Sequence, residues 1–551
     1  METPQIDAIK ETARAAVQAA EPKTVHIPAY NARTRQTETR ELVIRSGKEG
    51  NSFKRITLIL SFILIELAFL AVLYAQFIIA FLWFLFIPYG IGVIFACRVA
   101  VGNKNPDSKI AWILFLLILA PAAVYLLAGE ISASPIKARR LKRINAETKF
   151  LQKTELPEGL PPRVKQDCNL IQNTSDFTPF FNGAAAYFPT GEAFFEDVLT
   201  ELQRAEQFIF MDFFIIAEGR LSNAIFKILI EKARTGVDVR VIVDGLGSHN
   251  TLSLPKVKRI RKYGVKIIAF EPVLPLVNFF VHYRDHRKII VIDGRTGYVG
   301  GANIADEYVN AKERFGVWKD ASLRIDGGAV KSLTLIFLRM WAYSSKEKPD
   351  YARFIDQSAA SAGFRESGSG QLILPYGDGV NDGSALGKAV YCNIINNARE
   401  TIYIMTPYFV ADGGILDMLK AKAQSGVDVR LVLPGVPDKK IVYALTRSNA
   451  ERLVSGGVRV YTYTPGFLHS KVMLSDGECA VVGSVNMDFR SFYQQYESAA
   501  YLGGGTAIKS VAADFENTFA LSKEIRLADI KKRGIFARTG LAFIRLFAPL
   551  M

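Results

Sequence analysis

The sequence predicts an α/β protein made of two similar halves that pair about a pseudo-twofold axis, preceded by N-terminal transmembrane helices. Three observations support this prediction. The stretch between residues 55 and 130 is largely uncharged, the chain beyond about residue 150 repeats its own apolar segments, and each repeat alternates apolar strands with amphipathic helices. A chain of 551 residues is also too long for a single core.

These patterns divide the chain into six expected regions. A polar tail precedes the apolar region, a basic linker connects that region to the two halves, and a basic amphipathic segment ends the chain. The expected boundaries are 1–54 for the tail, 55–130 for the transmembrane region, 131–175 for the linker, 176–365 and 366–525 for the two halves, and 526–551 for the C-terminal segment.

The apolar region has room for two or three membrane spans. Thr57–Cys97 is about twice the length of one spanning helix, and Ile110–Gly129 provides another full span. About fifty polar residues precede the first run and the run is far too long for a secretory signal, so we expect retained anchors. With two spans, both basic flanks face the cytoplasm and satisfy the positive-inside rule, whereas three spans place them on opposite sides. We expect a multi-pass membrane protein whose soluble part is cytoplasmic.

The charge of the chain favours an anionic partner. The net charge is +15, which suits either nucleic acid or an anionic membrane surface. The apolar region selects the membrane, so nucleic acid is not expected as a partner. The four cysteines are scattered without metal-ligand spacing, which agrees with a reducing compartment.

The duplication is visible as matched segments in the same order in both halves. FIFMDFFIIAEG at Phe208–Gly219 corresponds to IYIMTPYFVADG at Ile402–Gly413. Each copy has the pattern of an apolar strand, an amphipathic helix, a glycine turn and a second strand, which predicts α/β layers around a buried sheet. The other matched pairs are ARTGVDVRVIVDG (Ala233–Gly245) with AQSGVDVRLVLPG (Ala423–Gly435), and GVKIIAFEP (Gly264–Pro272) with GVRVYTYTP (Gly457–Pro465).

Each half also contains one copy of an eighteen-residue polar pattern. The copies are HRKIIVIDGRTGYVGGAN at His286–Asn303 and HSKVMLSDGECAVVGSVN at His469–Asn486. The alternation of a strand places the histidine and the lysine of each copy on one face. If the halves pair about a twofold axis, the two imidazoles approach a common site from opposite sides. A duplicated scaffold without chemistry explains the apolar repeats but not these polar ones.

Two imidazoles facing each other suit the chemistry of a phosphodiester. One attacks phosphorus in line with the leaving oxygen and the other protonates that oxygen, since the pKa of histidine lies near physiological pH. Ammonium, amide and hydroxyl groups hold the non-bridging oxygens. The candidate catalytic residues are His286, Lys288, Asp293, His469, Lys471 and Asp476, and the candidate phosphate-binding residues are Asn303, Ser484 and Asn486.

The acidic residues in and after the patterns have two interpretations each. Asp293 and Asp476 precede glycine, which favours a turn-capping role over chemistry. Asp320 and Glu497 open the strand after each pattern, and we expect them to orient the second ring nitrogen of a histidine, although surface salt bridges would also explain them.

The two patterns resemble the repeated motif of the phospholipase D superfamily, His–x–Lys–x4–Asp–x6–Gly–Ser–x–Asn. The second copy fits fully, and the first departs only at Gly301, where serine is usual. The architecture of residues 55–551 is similar to that of bacterial cardiolipin synthases. The stretches that carry this likeness are NPDSKIAWILFLLILAPAAVYLLAGE, VIVDGLGS and MTPYFV.

The resemblance implies a ping-pong transfer between two phosphatidylglycerol molecules, which yields cardiolipin and glycerol through a phosphatidyl-histidine intermediate. It assigns His286 as the nucleophile and His469 as acid and then base, although the symmetry of the sequence also permits the reverse. It implies no metal and no cofactor, and a location in the bacterial cell membrane. The oligomeric state stays open.

Other functions remain compatible with the motifs. The same site could hydrolyse a phospholipid, transfer the phosphatidyl group to serine or ethanolamine, or cleave nucleic acid, and a non-catalytic membrane scaffold is a further alternative. The C-terminal segment, with several basic and aromatic residues, fits anionic lipid and a core-packing helix equally well.

Overall fold

The computed structural model describes most of the chain beyond residue 138 and parts of the region before it. The described residues are 25–31, 36–42, 63–72, 74, 82–102, 105–118, 139–181, 183–272, 283–360, 371–380, 385–530 and 534–550.

The described part of the N-terminal region contains a hairpin, helical residues at 63–72 and two further helices. Strands β1 (Val25–Asn31) and β2 (Gln36–Leu42) pair antiparallel, and α1 (Leu82–Val101) packs against α2 (Pro106–Ile118). Within the described stretches, no helix combines the length and the apolarity needed to cross a membrane. The predicted spans lie partly outside those stretches, so their number stays a prediction.

The first half is built on a seven-stranded mixed sheet, in the order β4-β12-β10-β9-β5-β6-β7. The central strand β5 (FIFMDF) is buried along its whole length, as expected for a continuous apolar run covered on both faces. The strands from here to the end of this half are β3 Phe180–Phe181, β4 Ala184–Phe188, β5 Phe208–Phe213, β6 Asp238–Asp244, β7 Lys266–Phe270, β8 Arg284–Asp285, β9 Lys288–Ile292, β10 Thr296–Gly300, β11 Val317–Lys319 and β12 Ser322–Asp326.

Amphipathic helices cover this sheet. In α5, Leu221, Ile225 and Leu229 recur every fourth residue and form the buried face. The helix α3 lies within the predicted linker and packs against α9 of the second half. The helices are α3 Pro162–Thr174, α4 Gly191–Gln203, α5 Arg220–Arg234, α6 Leu254–Arg261, α7 Val330–Ser345, α8 Tyr351–Ala360 and, beginning the second half, α9 Leu386–Asn397.

The second half repeats the architecture on a ten-stranded sheet, in the order β23-β17-β16-β14-β19-β20-β22-β13-β3, with β8 paired beside β22. The strands are β13 Leu372–Asp378, β14 Thr401–Met405, β15 Phe409–Val410, β16 Asp428–Pro434, β17 Arg459–Tyr463, β18 Gly466–Leu468, β19 Val472–Ser475, β20 Cys479–Gly483, β21 Met487–Asp488, β22 Gln495–Gly503 and β23 Ser522–Ile525. The remaining helices are α10 Gly413–Gln424, α11 Lys440–Val454, α12 Phe489–Gln494, α13 Thr506–Ala520 and α14 Ile535–Phe547.

The order of equivalent strands is the same in both sheets. The series β7-β6-β5-β9-β10-β12-β4 of the first half corresponds strand by strand to β17-β16-β14-β19-β20-β22-β13 of the second. The predicted α/β class is therefore confirmed.

Two short parallel pairings join the halves at the site. Strand β8, just before His286, pairs with β22 of the second half. Strand β18, just before His469, pairs with β11 of the first half. Helix α7, almost wholly buried, fills the space between the two sheets, and its Ile336 packs against β13. The exchange is reciprocal, as expected for halves related by an approximate twofold axis.

Candidate active site

The backbone of each motif histidine is hydrogen-bonded to the opposite half of the molecule. The amide of His286 donates to the carbonyl of Tyr496 at 2.9 Å, and the amide of His469 donates to the carbonyl of Lys319 at 2.7 Å. Both histidine side chains are buried. Each imidazole is therefore placed by its own strand and by the strand that the other half contributes.

The two acids predicted to orient the histidines do so across the interface between the halves. Nδ1 of His286 lies 2.9 and 3.0 Å from the carboxylate oxygens of Glu497, and Nδ1 of His469 lies 2.6 Å from Oδ2 of Asp320. Both carboxylates are fully buried. A carboxylate acceptor at this position favours the tautomer with the proton on Nδ1, which leaves Nε2 available for phosphorus or for a leaving oxygen.

Lys288 and Lys471 lie beside the imidazoles. The ammonium group of each donates to the carbonyl of its own motif histidine, and Nζ of Lys471 is also 2.9 Å from Nδ1 of His469. Burial lowers the pKa of Lys288 to about 8 and that of Lys471 to about 7. Two ammonium groups in a site of low polarity attract the charge of a phosphodiester.

Burial also lowers the pKa of both imidazoles well below the ordinary value, and the charges of Lys288 and Lys471 lower both further. The charge on His286 acts on His469 as well. Groups from both halves therefore share one electrostatic environment. Burial raises the pKa of Asp320 and Glu497 to about 7, against the opposing effect of the two lysines.

The structure places Asp293 and Asp476 at the other end of the motif strands, and the imidazoles are not among their partners. Asp293 accepts hydrogen bonds of 2.8–2.9 Å from the amides of residues 206–208, and Asp476 accepts bonds of 2.7–2.9 Å from those of residues 399–401. Both adopt left-handed backbone conformations, with φ of 52° and 53°. Both aspartates tie a hairpin turn to the start of the neighbouring strand, which agrees with the turn-capping interpretation, and their place in the catalytic set stays a prediction.

The candidate phosphate-binding amides have different surroundings. Asn303 accepts from the amide of Ile215 at 3.0 Å and donates to the hydroxyl of Tyr308 at 2.7 Å. Oδ1 of Asn486 is buried and has no hydrogen-bond partner among the described residues. Asn303 is therefore held rigidly, whereas Asn486 retains an unused acceptor.

The hydroxyl of Ser484 is directed at an acid. It donates to Oε2 of Glu497 and also bonds to the backbone of Ser498. At the equivalent Gly301, an added Cβ would lie 2.1 Å from Oδ1 of Asp320. Ser484 therefore contacts Glu497, and its role as a phosphate ligand stays a prediction.

Several residues that contact the site carry no motif and were missed by the sequence analysis. Ser491 donates to Oε1 of Glu497 at 2.7 Å. The ring of Phe214 stands edge-on to His286 at 5.0 Å, whereas Tyr308 and Trp318 lie 5.4 and 5.6 Å from His469. Phe214 lies within a matched segment, whereas Tyr308, Trp318 and Ser491 follow the motifs, and neither position distinguishes these residues from core residues.

A buried ionic cluster lies behind His286. Arg284 and Asp244 form a fully buried ion pair at 2.9 Å, and Asp244 also accepts from the amide of Asp285. Asp212 lies beside Asp285, and burial raises the pKa of Asp212 well above its usual range and that of Asp285 to about 6. The matched segments place Thr406, Pro434, Phe467 and Leu468 at the equivalent positions of the second half.

As for metals, within the part of the chain that the structure describes, no group of three or more histidine, cysteine or acidic side chains is arranged to hold an ion.

The duplicated sheets and the crossed histidine–acid pairs define an enzyme of the phospholipase D type. A family model described as "Cardiolipin synthase, PLD-like domain" matches residues 198–341 and 391–519. A protein of Halalkalibacterium halodurans named cardiolipin synthase is 34% identical over 82% of this chain and 90% of its own length. A protein of Geobacillus kaustophilus with the same name is 35% identical over 83% and 92%.

The chain therefore belongs to the cardiolipin synthase family, and it is a phosphatidyltransferase. The resemblance inferred from the two motifs is confirmed. An uncharacterised protein of Streptococcus mutans is 39% identical over 69% of this chain and 81% of its own length. The crystal structure of phosphatidylserine synthase from Haemophilus influenzae shares the fold, with a TM-score of 0.53 at 13% identity, covering 70% of this chain and all of that one.

Proposed function

We propose that the chain transfers a phosphatidyl group from one phosphatidylglycerol to another and releases glycerol, with His286 and His469 as the two reacting groups. The crossed hydrogen bonds of these imidazoles to Glu497 and Asp320 carry this proposal, because they occupy Nδ1 of both rings and leave both Nε2 atoms for the substrate. The family's name supplies the lipid substrate and product.

In the first step, Nε2 of His286 attacks the phosphorus of one phosphatidylglycerol. The bond from phosphorus to the glycerol oxygen breaks, and that oxygen takes a proton from His469. In the second step, a glycerol hydroxyl of another phosphatidylglycerol loses its proton to His469 and attacks phosphorus. The phosphorus–nitrogen bond breaks, cardiolipin leaves, and both imidazoles return to their initial states.

The unequal surroundings of the two acids support this assignment of roles. Glu497 receives hydroxyl hydrogen bonds from Ser484 and Ser491 in addition to the imidazole, so it has less charge left to stabilise an imidazolium at His286. Among the described residues, Asp320 has hydrogen bonds only with the amide of Ala321 and the imidazole of His469. His286 is thus the better neutral nucleophile and His469 the better proton carrier.

The two lysines complete the chemistry. Lys288 and Lys471 are buried on the same side of their strands as the histidines and can hold the non-bridging oxygens of the diester. The bound anion in turn offsets their charges, which favours a proton on His469 before the glycerol leaves. Asn303 and Asn486, at the ends of the motifs, are proposed to complete the phosphate site.

The proposal includes location and organisation. The enzyme acts at the bacterial cell membrane, with the two catalytic halves at about residues 176–365 and 366–525 on the cytoplasmic side and with anchors between residues 55 and 130. The buried apolar content of the halves and the basic net charge of +15 agree with this arrangement.

The decisive experiment is a product assay with the purified full chain and phosphatidylglycerol as the only lipid. We expect cardiolipin and free glycerol in equal amounts. Phosphatidic acid as the main product would indicate a hydrolase. Cleavage of DNA without lipid turnover would indicate a nuclease. Either result would overturn the proposal.

A further inference from the structure

The C-terminal helix α14 has two apolar faces. One face packs inward, where Leu541 and Ile544 meet the cluster of Val410, Leu445 and Phe489. On the other face Phe536 is 90% exposed and Phe543 is 57% exposed. The inner face of α14 therefore packs on the core, as one interpretation of this segment predicts. Its outer face is exposed and apolar, as the lipid-binding interpretation predicts.

Helical geometry separates the two faces clearly. At about 100° per residue, Ile535, Phe536, Phe543 and Leu546 fall within an arc of about 100° opposite Leu541 and Ile544. A helix that only covers a core presents polar residues on its outer side. Apart from Thr539, whose hydroxyl donates to the carbonyl of Ile535, the outer stripe of α14 is apolar and exposed in the described part of the chain.

The surface beside α14 is basic and apolar together. Helix α14 packs on α11, and Arg545 donates to the hydroxyl of Ser448. At the start of α11, the exposed and adjacent Lys439 and Lys440 lie between the exposed Val436 and Ile441 in the chain, and Asp438 is the one acid among them. We call residues 436–441 the basic tip. Lysines around exposed apolar side chains are typical of surfaces that meet anionic lipid.

The basic tip also borders the site. Nζ of Lys439 lies 3.4 Å from the hydroxyl of Tyr408, and its charge contributes to lowering the pKa of both His286 and His469. On its other side α14 contacts α2, the helix that contains the start of the predicted span Ile110–Gly129. A surface that joins the mouth of the site to a predicted membrane segment fits a bilayer better than a second protein.

We propose that α14 and the basic tip lie in the headgroup layer of an anionic bilayer and hold the mouth between the two halves against it. The proposal rests on the proposed function in one respect, that the substrate is a membrane lipid. The acyl chains of such a substrate stay in the bilayer, so only the headgroup needs to reach the paired histidines.

The first test measures contact with lipid and does not require turnover. Full-length Phe543→Trp protein and wild type are reconstituted in phosphatidylglycerol vesicles with or without brominated acyl chains, and the fluorescence of the added tryptophan is obtained by difference. We expect bromine to quench it at least about twofold. The matched control is Leu254→Trp, at a residue 74% exposed on α6 of the first half, where we expect no additional quenching.

The outcomes of the first test are distinct. Absence of quenching at residue 543, or equal quenching at residues 543 and 254, overturns the proposal. Equal quenching at residue 543 in brominated phosphatidylcholine overturns the preference for anionic lipid. If the tryptophan is already shielded from solvent in the absence of vesicles, a second copy of the chain covers α14. That result overturns the proposal that a bilayer covers it.

The second test separates the surface from the chemistry. The double variant Phe536→Ser, Phe543→Ser should lose about tenfold or more in kcat/KM on phosphatidylglycerol vesicles and keep wild-type kcat/KM on a short-chain, monomeric phosphatidylglycerol. Equal losses on both substrates would reveal a packing role and overturn the proposal. If the wild type makes no cardiolipin, the proposed function fails, whereas the quenching experiment still tests whether α14 contacts the bilayer.

Discussion

The two halves of the molecule share one strand order but surround their histidines differently. In the site that holds His286, a glutamate is supported by two serine hydroxyls. In the site that holds His469, a shorter aspartate lies against Gly301, where no side chain fits. Behind His286 there is also the buried pair of Arg284 and Asp244, which the second half replaces with Phe467 and Pro434.

Under the proposed roles of the two histidines, the difference shows how the two halves of a duplicated scaffold take on different tasks. Equivalent backbone positions bring both imidazoles to one site, because the hairpins and the exchanged pairings are the same in both halves. The length of the acid and the number of its donors then set how strongly each carboxylate supports a charged imidazole. Geometry is shared between the halves, whereas electrostatics is not.

The largest expected effect distinguishes the two histidines directly. His286→Ala and His469→Ala should each reduce cardiolipin formation by about 10⁴-fold or more. With a phosphatidyl ester of p-nitrophenol, a leaving group that needs no acid, His469→Ala should still release a burst of p-nitrophenol and His286→Ala should not. The reverse pattern would exchange the two roles, and bursts from both variants would contradict a single nucleophile.

The pairing of Gly301 with Asp320 can be tested by converting the first half to the pattern of the second. Gly301→Ser should reduce kcat/KM by about 10²-fold, because the new Cβ would lie 2.1 Å from Oδ1 of Asp320. Asp320→Glu alone should also lower kcat/KM, because the longer chain misplaces the carboxylate. The double variant should recover most of the activity.

The control for this double-mutant cycle is Ser484→Ala in the other half, which removes a donor to Glu497 without a clash. It should reduce kcat/KM only about tenfold. Losses in Gly301→Ser and Asp320→Glu that simply add would show that the two positions do not constrain each other.

The pH dependence of kcat/KM should be bell-shaped with a maximum near pH 7. Burial raises the pKa of Asp320 and Glu497 to about 7, so these acids lose their charge, and the site its activity, as the pH falls below that value. Burial lowers the pKa of Lys471 to about 7 and of Lys288 to about 8, so the ammonium groups are lost as the pH rises.

Lys471→Arg tests the alkaline limb, because arginine stays charged throughout this range. The alkaline limb should move up towards the pKa of Lys288, so the ratio of activity at pH 8 to activity at pH 7 should be about fivefold higher than in wild type. An unchanged alkaline limb would assign it to another group. Lys471→Gln is the matched control and should be inactive at every pH.

The smallest effect on catalysis is expected where the halves agree. Asp293→Ala and Asp476→Ala each remove an acceptor of three backbone hydrogen bonds far from the imidazoles, and each should lower the free energy of unfolding by about 3 kcal/mol. The kcat/KM of the folded protein should stay within about threefold of wild type. Thermal unfolding measures the loss of stability, and kcat/KM is measured below the unfolding temperature. A large loss of kcat/KM without loss of stability would indicate that these aspartates take part in catalysis.

The sequence by itself determined the α/β class, the duplication, the two histidines and lysines, and the family. These features are readable because strand alternation and a repeated motif are local, so His286 and Lys288 must share a face wherever the strand lies. The turn role of Asp293 was also readable, since an aspartate before glycine favours a capped turn.

Only the tertiary structure decided which acid serves which histidine. Asp320 follows the first motif and Glu497 the second, yet each bonds to the histidine of the other half, because β8 and β18 pair across the interface. The contact of Ser484 with Glu497 was decided in the same way, since it depends on the distance between two strands of the folded sheet. Contacts between residues far apart in the chain depend on packing, and packing has no local signature.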